Sequence, residues 1–175
     1  MHRHIVIAFF SLMLAGCYTS GSQLLDPSSA RQPVPPDSDG TTLTSKDGHQ
    51  SHLSLRSDGQ YDVVEDHDDG AETHVVLVND FGSSRGHPLY VFSTWDEETM
   101  GFVYGIVVLD SNGGGMVDVM PDCAATEAAR SAASAGAKEG CSFSDRAQLF
   151  NALGAWVNTD EFWAKVAEAG SAPQK

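Results

Sequence analysis

The chain has 175 residues, with ten Lys plus Arg against twenty-four Asp plus Glu and a formal net charge of −14. So acidic a protein repels nucleic acid and anionic lipid headgroups, which argues against nucleic-acid binding and leaves cationic partners or plain solubility as the compatible interpretations. The length suffices for one domain with a single core.

A short basic segment and an apolar run open the chain. Residues 2–4 are His-Arg-His, and residues 5–15 are apolar over the length of a signal-peptide core, too short to span a bilayer. Leu14-Ala15-Gly16-Cys17 closes this run. Over residues 1–17 the chain resembles the bacterial lipoprotein class, whose lipobox has Leu, a small residue, Gly or Ala, and then Cys.

The resemblance implies removal of residues 1–16, a diacylglyceryl thioether on Cys17 and a further acyl chain, such as palmitate, on the freed amine. Two or more acyl chains give stable membrane anchoring. Tyr18 stands where Asp often marks inner-membrane retention in such lipoproteins, which favours the outer membrane with the protein facing the periplasm. The alternative is an ordinary secretory signal that ends near a cysteine.

Residues 17–48 are rich in Ser, Thr, Pro, Gly and Asp, with few aliphatic side chains. Pro33-Val34-Pro35-Pro36 cannot form a helix, and the segment has little to bury. The composition predicts a lipid-anchored flexible tether that holds the domain clear of the bilayer. A single domain is expected over residues 49–170, followed by a short tail at 171–175.

The first half of that domain has the pattern of β-strands. Residues 50–57 and 60–66 are separated by a turn at Asp58-Gly59, and residues 71–79 follow a second turn. A two-residue turn at Asp69-Gly70 would place Val63 opposite Val76 and Glu65 opposite His74.

Three more strands are expected after a loop at 81–86. They span residues 87–94, 101–110 and 116–120, and a Gly-rich hairpin loop at 111–115 joins the last two. Residues 101–110 are apolar on both faces, so this strand should be internal.

The second half has the pattern of helices. Asp122 precedes an alanine-rich helix at about 123–135, Ser144 caps a second helix, and Thr159 caps a third that ends at Gly170. Strands followed by helices predict an α+β fold, an antiparallel meander of about six strands with two or three C-terminal helices packed on one face.

Three cysteines are present. With Cys17 assigned to lipid, Cys123 and Cys141 remain as a pair in an oxidising compartment, which favours a disulfide bond. Free or metal-binding thiols are the alternative.

The densest group of metal-ligating residue types lies at 62–74. Glu65, His67, Asp69 and His74 are candidate ligands for Zn²⁺ or Cu²⁺ through imidazole, or for Ca²⁺ through carboxylate. The spacing matches no known metal motif, and a solvated turn in an acidic protein is the alternative.

Two further patterns are candidate catalytic sites. Gly82-Ser83-Ser84-Arg85-Gly86 fits the letters of a hydrolase nucleophile motif with Ser84 as nucleophile, but a strand, not a helix, is expected after it. Glu97 and Glu98 are adjacent acids, although glycosidase acids must face a substrate from two sides. A flexible loop and a solvated turn are the respective alternatives.

No complete catalytic set and no cofactor motif is recognised. We expect a lipid-anchored, non-enzymatic domain that binds a protein or another envelope component. A metal-binding lipoprotein using residues 62–74 is the alternative, and a hydrolase using Ser84 a weaker one.

Overall fold

A computed structural model describes residues 18–33, 41–44, 50–67, 70–109, 116–121, 123 and 141–170. The predicted signal peptide, Cys17, the hairpin loop at 111–115, nearly all of the alanine-rich helix at 123–135, and the tail lie outside these residues. Within them the fold is mostly β-sheet with two C-terminal helices, which confirms the α+β class.

Nine strands and two helices are found among the described residues. The strands are β1 (Tyr18–Ser20), β2 (Thr41–Thr44), β3 (Gln50–Leu55), β4 (Tyr61–His67), β5 (Gly70–Ser84), β6 (His87–Asp96), β7 (Gly101–Leu109), β8 (Met116–Val119) and β9 (Cys141–Ser142), and the helices are α1 (Arg146–Val157) and α2 (Asp160–Gly170).

The strands form one mixed sheet in the order β2-β3-β4-β5-β6-β7-β1-β9. Strands β2 to β7 run as an antiparallel meander. On the side of β7 away from β6, two strands pair with it in succession: β1 pairs with residues 102–104 and β8 pairs with residues 106–109. β1 and β9 are parallel, so the sheet is mixed. The prediction of a purely antiparallel sheet is wrong in this respect.

All six predicted strands are present as β3 to β8, in the predicted order. Their apolar alternation and turn residues are local signals, which is why the sequence revealed them. β5 is longer than expected and continues through Ser84, with a bulge between Asp80 and Gly82. β1, β2 and β9 were not predicted.

The main core lies between one face of the sheet and the helices. Alternate residues of the central strands point to this face, among them Val91 of β6 and Ile106 of β7, both fully buried. They meet Leu149, Trp156 and Phe162 of the helices in one cluster. The prediction that the helices pack on one face is therefore confirmed for α1 and α2.

The opposite face of the sheet carries a smaller apolar cluster. Leu53, Tyr61 and Val78 are buried there, and the half-buried Val63 and Phe92 pack against them. The strand at 101–109 is buried on both faces, as predicted for an internal strand.

Each helix begins at a side-chain cap. Asp145, rather than the predicted Ser144, caps α1, because its carboxylate accepts a hydrogen bond from Gln148 N–H at 2.9 Å. Thr159 caps α2 as predicted, with its hydroxyl accepting from Phe162 N–H at 3.2 Å. No helix among the described residues is long and apolar enough to cross a membrane.

Candidate functional site

Tyr18, the residue that follows Cys17, is part of the fold. Tyr18 is fully buried, lies opposite Tyr104 of β7 and contacts the Phe143 ring with a centroid distance of 5.0 Å. On its other side β1 pairs with β9. The prediction of a flexible tether over 17–48 is therefore wrong for residues 18–33, and it is also wrong for residues 41–44, which form β2. The folded domain includes these residues as well as those from 49 onward that were predicted.

Residues 21–31, here called the N-terminal strap, cross the helix-side face of the sheet from β1 to β5. Near β1 the Tyr104 hydroxyl accepts a hydrogen bond from Leu24 N–H at 3.0 Å and lies 2.7 Å from Ser20 Oγ. Burial raises the pKa of Tyr104, so this hydroxyl keeps its proton at neutral pH and can also donate to the carbonyl oxygen of Ser22.

Buried polar side chains hold the middle of the strap. Ser93 of β6 hydrogen-bonds to the Gln23 amide at 2.8 Å. Asn79 of β5, only 1 % exposed, accepts from Asp26 N–H at 3.0 Å and donates to the Asp26 carbonyl at 3.1 Å. Because a buried amide without partners is costly, Asn79 requires the strap in this position.

The far end of the strap is fixed to β5 by its backbone. Arg31 N–H donates to the Val78 carbonyl at 2.8 Å, and the buried Leu25 belongs to the main core. Asp26 caps a 3-10 turn at Pro27–Ser29, and its hydrogen bonds from Ser28 and Ser29 lower the pKa of its carboxyl. The strap is thus ordered over its whole length.

Ser84, the candidate nucleophile, lies at a hairpin turn. It pairs with His87, and Arg85 between them has a left-handed φ of +50°. β6 follows directly, so no helix N-terminus is available next to Ser84. Instead, Arg85 contacts α2, through an ion pair of 2.6 Å to Asp160 and a cation–π contact with Trp163. Ser84 therefore lies in a β-turn that packs against α2 through Arg85. This turn does not have the geometry of a nucleophile elbow.

The candidate metal ligands follow a different register from the one predicted. Val63 lies opposite His74, and Glu65 lies opposite Glu72, a shift of two residues, because His67 pairs with Gly70 at the end of the hairpin. Gly70 has a φ of +139°, which only glycine adopts readily.

As a result, the predicted ligands are not brought together in the expected way. His74 Nε2 lies 3.6 Å from Glu72 Oε1, which was not among the candidates, and Asp69 lies outside the described residues. Across the described ranges, no group of three His, Cys, Asp or Glu residues is placed to hold a metal ion.

The turn between β6 and β7 presents an apolar patch that sequence reasoning missed. Trp95 is 42 % exposed and makes a T-shaped ring contact with Phe102, and Met100 is 71 % exposed. Asp96 accepts from Thr99 N–H and shapes the turn, while Glu97 and Glu98 are exposed beside it. We call Trp95, Met100 and these acids the β6–β7 patch.

The two acids of this patch had been weighed only as a catalytic pair. In the structure they are neighbours on a solvent-exposed turn, an arrangement that does not place two carboxyl groups on opposite sides of a substrate. The sequence does contain a signal for this patch. Met100 stands between the polar residues 96–99 and Gly101, and an apolar side chain in such a turn is expected to be exposed to solvent.

Cys123 and Cys141 form a disulfide bond, as predicted. Cys141 is fully buried in β9 and belongs to the main core, and the half-buried Cys123 packs against that core. The bond therefore ties β8, which ends four residues before Cys123, to the strand that flanks β1.

Comparison of the chain with protein-family models, with curated proteins and with solved structures returned no match.

Proposed function

We propose that this protein is a lipid-anchored component of the bacterial cell envelope, acylated on Cys17, that binds a protein or another envelope component. The observation that carries the anchor is the lipobox Leu14-Ala15-Gly16-Cys17 behind a short apolar run. Tyr18 after the acylation site favours the outer membrane, with the domain facing the periplasm. Two or more acyl chains would keep the protein stably on the membrane.

The anchor predicts a defined mature N-terminus. Mass spectrometry of the protein from its bacterial host should show a peptide that begins at Cys17 and carries a diacylglyceryl group and one further acyl chain. A Cys17→Ser variant is the control and should remain unacylated. An unmodified Cys17, or cleavage at another residue, would contradict the anchor.

The β6–β7 patch is the surface that best fits a binding role. Large exposed apolar side chains that cluster on a soluble domain commonly mark interaction sites, and an aromatic ring is a frequent anchor in them. Here Trp95 and Met100 are exposed on the same hairpin as Glu97 and Glu98. Apolar groups on an acidic hairpin suit a partner segment that combines apolar and basic side chains.

The backbone at Met100 allows the patch to be tested without unfolding the domain. Met100 has a left-handed φ of +51°, a conformation that costs a non-glycine residue about 1 kcal/mol or more. Met100→Gly should therefore leave the free energy of unfolding unchanged or raise it by up to about 1 kcal/mol, while it removes the most exposed apolar side chain.

Binding is measured by photo-cross-linking in cells, with a photoreactive amino acid at position 95 and, as the control, at position 55. Leu55 has a similar exposure, 39 %, and lies on β3, three strands away from β6 in the sheet. We expect a cross-linked partner only from position 95, and its yield should fall at least about fivefold in Met100→Gly, a loss of about 1 kcal/mol. Equal cross-linking from position 55, or an unchanged yield in Met100→Gly, would contradict this surface.

A further inference from the structure

We propose that the domain lies directly against the lipid surface, with the sheet edge formed by β8, β1 and β9 facing the headgroups. This inference rests on the proposed acylation of Cys17 and gives that anchor a geometric consequence. The partner surface is a zwitterionic lipid headgroup layer. The opposite edge of the sheet, at β2 and β3, then points away from the membrane.

The first argument is the length of chain between lipid and fold. Consecutive Cα atoms are 3.8 Å apart, so the Cα of Tyr18 lies that far from the acylated residue. Tyr18 is fully buried in an inner strand. No spacer remains between the two. Only two arrangements are compatible with a lipid on Cys17: either the fold touches the headgroups, or β1 leaves the sheet.

The second argument is the number of contacts that hold β1 in the sheet. β1 pairs with β7 on one side and with β9 on the other. Gly101 of β7 approaches so closely that a Cβ atom there would lie 2.8 Å from the Ser20 carbonyl oxygen. Behind β1, the strap is fixed by Ser93 and Asn79. These contacts favour the arrangement in which β1 stays and the fold meets the membrane.

The third argument is the distribution of charge across the sheet. β1 has the sequence Tyr-Thr-Ser and β9 has Cys-Ser, so neither carries a charged side chain, and the described part of β8 carries one, the exposed Asp118. At the other side of the sheet, the hairpins of β3, β4 and β5 carry several acids. These are Asp58, Asp62, Glu65 and Glu72. A membrane at the edge formed by β8, β1 and β9 therefore keeps much of the acidic surface away from the headgroups.

A chemically anchored protein tests this arrangement without the cell's acylation machinery. A chain of residues 17–175 keeps every described residue, and its single free thiol is Cys17, because the other two cysteines form the disulfide. Cys17 is coupled to a maleimide-bearing phosphatidylethanolamine in phosphatidylcholine vesicles that also contain a nitroxide headgroup quencher. A fluorophore is attached through a clickable amino acid at position 144 or at position 57.

The two label positions differ in their distance from the anchored edge. Ser144 is exposed two residues after β9, and Ser57 is exposed in the turn between β3 and β4. β3 is five strands from β1, about 24 Å at the usual strand spacing. We expect quenching at position 144 to exceed that at position 57 by at least about threefold, since nitroxide quenching falls steeply over such a distance.

The matched control carries a Gly-Ser linker of about twenty residues, roughly 25 Å as a random coil, between Cys17 and Tyr18. Both labels should then be quenched equally and weakly. Equal quenching at the two positions in the chain without a linker would overturn the proposal, as would loss of hydrogen-exchange protection at β1 on the vesicle. Failure of native acylation would appear separately, as an unmodified Cys17 in the mass spectrum, and would refute the proposed function instead.

Discussion

A chain that begins at Gln32 instead of Cys17 is expected to be unfolded at 25 °C. It lacks Tyr18 and Leu25, each of which contributes about 1.5–3 kcal/mol by burial. It also loses the hydrogen bonds that Ser93, Asn79 and the Tyr104 hydroxyl make to the strap, at about 0.5–1.5 kcal/mol each, because water replaces the strap at these groups. The sum, about 5–10 kcal/mol, is of the order of the whole stability of an ordinary domain.

Circular dichroism and urea denaturation would measure this loss. The matched control removes residues 171–175 at the other terminus and should leave the unfolding midpoint unchanged. Gly101→Ala provides a milder test, because the new methyl group would meet the Ser20 carbonyl and should cost about 1–3 kcal/mol. A truncated chain that unfolds at the same urea concentration as the full protein would show that β1 and the strap are not part of the fold.

Loss of the disulfide is the second large effect that we expect. The bond joins residues 18 positions apart, and closing such a loop stabilises a fold by about 3 kcal/mol in the chain-entropy model. The Cys123→Ser, Cys141→Ala double variant should lose about that amount of unfolding free energy. Because β9 flanks β1, hydrogen-exchange protection of β1 should fall as well.

Burial of Cys141 gives this prediction a control that needs no mutation. A reductant without denaturant can reach the bond only through the half-buried Cys123, because Cys141 is fully buried, so reduction of the folded protein should be slow. With denaturant, reduction should add two mass units and release two alkylatable thiols. Rapid reduction of the native protein, or an unchanged urea midpoint in the double variant, would contradict a structural role for the bond.

The elements that could be predicted are those with a strong local pattern. Most of the strands β3 to β8 alternate apolar and polar side chains between recognisable turns, β7 is a continuous apolar run, and α1 and α2 show an apolar stripe and a capping residue. Each signal lies within about ten residues of chain. The disulfide followed from a simple count of cysteines once one was assigned to lipid. The lipobox is also a purely local signal, and it stays a prediction here.

The register of the β4–β5 hairpin was predicted wrongly for a physical reason. Asp69-Gly70 resembles a two-residue turn, but Gly70 instead pairs with His67 as the first residue of β5. A shift of the turn by one residue along the chain moves every cross-strand pair by two positions. The expected pairing of Glu65 with His74 disappeared with it, and so did much of the support for a metal site.

The sequence by itself determined strands β3 to β8, helices α1 and α2, and the acidity of the domain. Only the tertiary structure decided that residues 41–44 form a strand and that residues 18–33 belong to the fold. Their composition is that of a linker, and their order comes from partners such as Asn79, Ser93 and Tyr104, which lie more than fifty residues away. Hydrogen bonds to such distant side chains leave no periodic pattern in the segment that they hold.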